Sequence, residues 1–152
     1  MQDDDGMDAH DKKLLDDVER HGWHIVGITP TQHAPPYAFS VGLYHTFRHP
    51  ELLVMGMDIK LMASMINGVG EWIRSGQRIV TDQPYPDILE GFDCLFRSVP
   101  KKYYRDYLGY ARWFYQGDDF PMLQCIWPDK QNHWPWDPDF NPAWKPAQPL
   151  LQ

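Results

Sequence analysis

At 152 residues the chain has the size of one domain, long enough to bury roughly 70% of its unfolded surface around a single core. Its formal net charge of −7 is lopsided: the first twenty residues hold eight acids against Lys12, Lys13 and Arg20, so everything beyond them contributes only −2. With no basic face and no run of about 18 apolar residues, the sequence excludes duplex nucleic acid as a partner and a membrane-spanning helix as an element.

Met1 to about Ala9 is polar and acidic and is expected to be a disordered arm preceding a domain at 10–152. The same acidic start, lacking an apolar segment, argues against a secretory signal and for a cytoplasmic protein. Leu14, Leu15 and Val18 have helical spacing, with Gly22 as a stop after His21. Trp23–Ile28 reads as a strand, and Thr31–Pro36 as a loop because Pro35 and Pro36 cannot join a ladder.

Two apolar runs follow, Tyr37–Leu43 and Leu52–Met57, and both read as buried strands. The segment between them, Gly42-Leu43-Tyr44-His45-Thr46-Phe47-Arg48-His49-Pro50-Glu51, is longer than a tight hairpin and carries groups that a turn does not need. Asp58 is a predicted N-cap for a helix whose apolar stripe runs through Leu61, Met62, Met65, Ile66, Val69, Trp72 and Ile73, weakened by Gly68 and Gly70 and ended by Gly76. Ile79–Val80 reads as a short strand, Thr81–Gly91 as a loop, and Phe92–Val99 as a strand. Ser98 and Pro100 open a strongly aromatic helix closed by Gly117, and Met122–Trp127 is a final strand. Beyond it, residues 128–152 are punctuated by six prolines with tryptophans between them. Disordered segments are poor in aromatics, so an extended strap pinned to the body is expected.

These elements predict a single α+β domain: a mostly antiparallel or mixed sheet of five to six strands, about three helices on one face, and the C-terminal strap. The pieces HGWHIVGI, YAFSVGLYHTFRHPELLVMGM, FRSVP, YLGYARWFY and FPMLQCIWPDKQNHWPWDPDF, in that order over about residues 21 to 140, resemble a family known as the domain of unknown function numbered 4262. The resemblance implies one intact domain of bacterial, cytoplasmic origin. It implies no activity, cofactor or catalytic residue.

The residues themselves offer three candidate groups. In the His45–Glu51 loop, His49 has the chemistry of a general acid or base with Glu51 to orient it, and the plainer reading is that both bond backbone groups within a long turn. The same HxxxHxE spacing is a weak metal signal: Pro50 opposes the helix that would align the imidazoles, and a third ligand is only available in His24, His133 or a carboxylate. No metal site is assigned. Arg97 and Arg112 sit among apolar and aromatic residues, which suits either ion pairs to Glu51, Asp93 or Asp129, or a clamp on a carboxylate or phosphate. Trp127, Asp129 and Trp134 combine aromatic faces with a directional acceptor, for ligand stacking or for packing.

No phosphate-cradling glycine motif and no GxSxG elbow occurs. Cys94 and Cys125, in apolar strand contexts, read as buried thiols. A disulfide would require neighbouring strands with Cα atoms within about 7 Å. The leading expectation is a domain that binds a small flat or anionic ligand in a cleft formed by the His45–Glu51 loop, Arg97, Arg112 and the strap. The alternatives are a hydrolytic enzyme based on His49 and Glu51, and a protein-interaction module such as an immunity or regulatory partner. Cofactor and oligomeric state are left open by the sequence.

Overall fold

A computed structural model describes residues 8–152, and the expected arm at 1–9 lies outside them except for Asp8 and Ala9. Those two belong to the first helix, α1 (Ala9–His21). Asp8 caps it, accepting from the Asp11 N–H at 2.9 Å while the Asp11 carboxylate accepts from the Asp8 N–H at 3.2 Å. Leu14 and Val18 form its buried stripe, and Gly22, at φ +99°, ends it with an N–H donated to the Val18 carbonyl.

The sheet contains six strands in the order β1-β2-β3-β6-β5-β4. These are β1 (His24–Ile28), β2 (Tyr37–Val41), β3 (Glu51–Met55), β4 (Tyr85–Leu89), β5 (Phe92–Ser98) and β6 (Met122–Ile126). Only the β3–β6 pair is parallel, so the sheet is mixed, as the α+β reading predicts. Every residue of β2, β3 and β6 is buried, because helices cover both faces at the centre.

The placement of helices on both faces corrects the one-face expectation. Alternation along the strands sends Tyr37, Phe39, Val41, Leu53 and Met55 toward α1, α4 (Tyr104–Tyr107) and α5 (Gly109–Tyr115). It sends Ala38, Leu52 and Val54 toward α3 (Ile59–Arg74), whose Met62, Met65, Ile66, Val69 and Ile73 are buried. Each fully buried side chain of this size contributes roughly 1.5–3 kcal/mol of transfer free energy. Gly70 does not break α3. A Cβ there would lie 2.5 Å from the Trp23 ring, so the glycine lets the indole press against the helix.

Four local expectations change. Leu43–Phe47, read as the last strand residue and the start of the loop, forms a short helix, α2. Ile79–Val80 is not a strand, whereas Tyr85–Leu89, read as loop, is β4; its Pro86 is tolerated because β4 is the last strand of the sheet. The aromatic helix is broken at Leu108 (φ −117°, ψ 42°), which is fully buried. Tyrosine and glycine propensities there are too weak to hold a continuous helix. Cys94 and Cys125 are buried and free; the Phe96–Cys125 register puts both on one sheet face, where the Cys94 thiol, with burial, pushes the Cys125 thiol well up.

From 128 onward a single 3₁₀ turn at Pro142–Trp144 is the regular structure among these residues. Two glutamine side chains bond this segment to β6 and its end where prolines forbid a ladder. The Gln124 amide donates to the Pro149 carbonyl at 2.8 Å and accepts from the Leu151 N–H at 3.0 Å. The Gln148 amide does the same to Trp127, at 2.8 Å and 2.9 Å.

Candidate functional site

The His45–Glu51 loop is built around the Glu51 carboxylate, which is fully buried. Gly42, at φ +119°, turns the chain so that the first amides of α2 converge on it; a Cβ at Gly42 would come within 2.7 Å of the Gly22 carbonyl. One oxygen accepts from the Ser40 hydroxyl at 2.7 Å and the Leu43 N–H at 3.1 Å. The other accepts from the Gly42 N–H at 2.8 Å, the Tyr44 N–H at 3.3 Å and the Tyr115 hydroxyl of α5. Burial pushes the Glu51 pKa up, while the hydroxyls of Tyr115 and Ser40 and the two glycine-loop amides pull against it. Burial and then the Glu51 charge push the Tyr115 phenol up in turn.

His49 is equally buried, and both its ring nitrogens are engaged. Nδ1–H donates to the Pro50 carbonyl at 2.9 Å, and Nε2 accepts from the Ile79 N–H at 3.0 Å. Burial lowers its pKa, with Arg78 assisting against the Pro50 bond, so the ring is held neutral. Neither nitrogen meets Glu51. The expected base and its orienter are therefore not bonded to each other: His49 is held by main-chain groups, and Glu51 by main-chain amides and the Ser40 and Tyr115 hydroxyls. His45 is exposed on α2, with its ring edge-on to Phe114 at 5.6 Å and its N–H donated to the Tyr115 hydroxyl at 3.1 Å.

The arginines are ion-paired, with partners other than those expected. Arg97 donates to Asp82 at 2.9 Å and lies over the Trp136 ring at 3.9 Å. Arg112 donates to Asp118 at 2.5 Å. Trp134 stacks on Trp136, 5.6 Å away and tilted by 9°, and its N–H donates to Asp137. The Asp129 carboxylate, 2% exposed, accepts from the N–H groups of Gln131, His133 and Asn141 and from the His133 ring. Burial acts to raise its pKa, but those donors outweigh it and hold the carboxyl at about 2. None of the five main depressions among the described residues is lined by His45, His49, Glu51, Arg97, Arg112 or Trp134.

Trp127 and Asp129 do line one. This pocket, of about 190 Å³, is closed by Met57, Leu89, Phe92, Trp127, Pro128 and Trp144, with Lys130 at its rim. The Trp127 and Trp144 rings cross at 81° with centroids 6.1 Å apart, and the Lys130 ammonium stands 5.7 Å over Trp144. Trp127 is fixed by its indole N–H, donated to the Met55 carbonyl at 2.8 Å. Sequence reading missed Leu89 and Phe92 because they flank the β4–β5 turn, which the loop assignment of 81–91 concealed.

The largest of these five depressions among the described residues, about 510 Å³, lies elsewhere, between α1, β1 and α3. His24 lines it. Its Nδ1–H donates to Asp17 at 2.7 Å, while Nε2 is buried with no hydrogen-bond partner. Burial lowers the His24 pKa against the pull of Asp17. Burial acts to raise that of Asp17, but the bonds from His24 and Lys13 lower it overall. The pair is therefore a neutral imidazole beside a carboxylate. Nothing in the spacing of Asp17 and His24 advertised it, since they lie on different elements. Among the described residues no group of three His, Cys, Asp or Glu is placed to hold a metal ion, and no helix is long and apolar enough to cross a membrane.

The model of a family described as Domain of unknown function (DUF4262) matches residues 17–141. No curated protein and no solved structure matches the chain. The match takes in Asp17, His24, the Glu51 loop and the strap as far as Asn141, and the chain belongs to that family.

Proposed function

We propose that this domain binds a small, flat, anionic ligand in the pocket between the strap and the β4–β5 turn. The observation that carries the reading is the crossed pair Trp127 and Trp144 walling a mostly apolar pocket, with the bonded Asp129 also in its lining and the Lys130 ammonium over the Trp144 ring. Indole faces favour a planar aromatic guest, and an ammonium at the mouth favours a carboxylate at one end of that guest. The Asp129 oxygens are occupied by four donors inside the strap, which leaves Lys130 as the charged group offered at the rim. The volume suits a single aromatic ring system such as a benzoate or an indole carboxylate. The loop and arginines named from sequence leave the site; Met57, Leu89, Phe92, Lys130 and Trp144 enter it.

The test is a titration of tryptophan fluorescence with benzoate and indole-3-acetate beside their neutral amides. Carboxylates should bind more tightly than amides, and Lys130→Ala should remove that preference, costing up to about 1 kcal/mol. Trp144→Ala should weaken both series. The reading is overturned if neither series perturbs the emission, or if Trp144→Ala leaves both affinities unchanged.

A further inference from the structure

The histidines differ in what holds their rings. His49 has both nitrogens on main-chain groups. His24 and His133 each have Nδ1 on a carboxylate, that of Asp17 at 2.7 Å and that of Asp129 at 3.2 Å. The far nitrogens of these two rings meet different fates. Nε2 of His24 is sealed in the protein, and among the described residues it is the one side-chain polar atom buried without a partner. Nε2 of His133 has no hydrogen-bond partner there either, so it is open to solvent, on a side chain that is 36% exposed.

The His133 ring is fixed from behind. One oxygen of the buried Asp129 carboxylate accepts from the Gln131 and His133 N–H groups, both at 2.9 Å. The other accepts from the Asn141 N–H at 2.9 Å and from the imidazole. The loop is closed by the Asp129 N–H, donated to the His133 carbonyl at 2.9 Å, and by the Asn132 N–H, donated to the Asp129 carbonyl at 3.0 Å. With its carboxyl held at about 2, Asp129 is ionised near neutrality and can only accept. The neutral ring therefore keeps its proton on Nδ1 and its lone pair on the open Nε2.

An imidazole oriented by a carboxylate, with its far nitrogen open, is what a general base requires. Sequence reading placed that arrangement at His49 and Glu51, and the fold assembles it in the strap. It stands at the strap pocket. Asp129, which holds the ring, lines that pocket beside Lys130. No serine, threonine or cysteine lines it, so the nucleophile that a base there can activate is water.

We infer that the strap pocket hydrolyses esters of small aromatic carboxylic acids, with His133 as general base and Lys130 facing the carbonyl oxygen. The inference rests on the reading of this pocket as an aromatic-carboxylate site and makes that carboxylate the product. The acyl ring lies against Trp127 and Trp144. Nε2 of His133 takes a proton from water as the water oxygen bonds to the carbonyl carbon. Negative charge moves onto the carbonyl oxygen, beside the Lys130 ammonium. The bond to the alcohol oxygen then breaks, and that oxygen takes the proton from Nε2. Alcohol leaves, and the acid formed ionises to the carboxylate. Aryl esters suit a site with a single base, because a phenol leaves more readily than an amine.

The test is phenol release from phenyl benzoate by the whole chain, run beside the benzoate titration of tryptophan fluorescence. Turnover should saturate, and benzoate should inhibit it competitively with a constant equal to its Kd. His133→Gln keeps a donor toward Asp129 but has no basic nitrogen. It should lower kcat about 100-fold or more, with KM, benzoate affinity and circular dichroism unchanged. Lys130→Ala, which leaves the loop bonds to Asp129 in place, should lower kcat about tenfold or more. Benzoate binding without saturable turnover overturns the inference and leaves the binding reading standing. So does an undiminished kcat in His133→Gln, or turnover that benzoate fails to inhibit. Absence of benzoate binding overturns both.

Discussion

The carboxylate of Glu51 and the hydroxyl of Tyr115, 64 residues apart in sequence, are hydrogen-bonded inside the domain and tie β3 to α5. The same carboxylate holds three amides of the α2 turn and the Ser40 hydroxyl, which itself accepts from the Leu52 N–H at 2.9 Å. One acid thereby fixes the end of β2, a short helix without a side-chain cap of its own and the start of β3. A charged acceptor with five donors is stable only while all of them stay in place.

Removing a donor is therefore milder than removing the acceptor. Tyr115→Phe should cost about 1.5–3 kcal/mol, the range for a hydrogen bond to a charged group. Glu51→Gln should cost more, because its amide nitrogen cannot accept from the N–H groups it would face. Urea unfolding of the two variants ranks them; equal midpoints would show that the carboxylate is not the hub.

The two weak points of α3 should respond in opposite directions. Nothing lies within 4 Å of a Cβ built on Gly68, and Gly68→Ala should stabilise the domain by about 0.5–1 kcal/mol. Gly70→Ala drives a methyl group into the Trp23 ring and should destabilise by about 1–3 kcal/mol. Thermal melts of both variants check the pair.

Acidification should weaken the fold through its buried imidazoles. His24 and His49 both have pKa values lowered from 6.5, so below that pH the unfolded chain takes up protons that the folded chain refuses. Stability from each is full above 6.5 and falls as pH drops toward the lowered folded value, with a slope of up to about 1.4 kcal/mol per pH unit. Glu51, raised from 4.5, acts with the opposite sign in the window just above 4.5. His24→Gln isolates one component: its stability should fall less steeply than wild type between pH 7 and 5.5. Identical pH profiles would rule out a neutral, buried His24.

The strap should depend on its two glutamines. Gln148→Ala leaves the buried N–H and C=O of Trp127 unpaired and should cost about 2–3 kcal/mol. The same change should loosen the pocket wall at Trp127 and Trp144, which fluorescence titration with benzoate would register as weaker binding.

Much of the fold was legible locally. Leu14 and Val18 four residues apart, the Asp58 cap, the stripe from Leu61 to Ile73 and the alternating run from Phe92 each specify an element by period alone. The misread pieces are those where period is uninformative. Tyr85–Leu89 looks like loop because of Pro86 and Asp87, and pairs only because β5 is beside it. Leu43–Phe47 looks like the end of a strand followed by loop, and coils where Glu51 gathers its first amides.

The candidate site was less legible than the elements. The segment from Gly42 to Glu51 stands out by residue type, yet its imidazole and carboxylate are consumed by partners such as Ile79 and Tyr115, 30 and 64 residues away. The sequence by itself determined the family, the α+β class, the tryptophan-bearing tail and which residues carry chemistry. Tertiary structure alone decided which of them still have chemistry to offer. A polar group's availability depends on whether distant chain segments have already satisfied it, and that accounting is done in space, where Trp127 and Trp144 wall a pocket and His24 keeps one nitrogen unpaired.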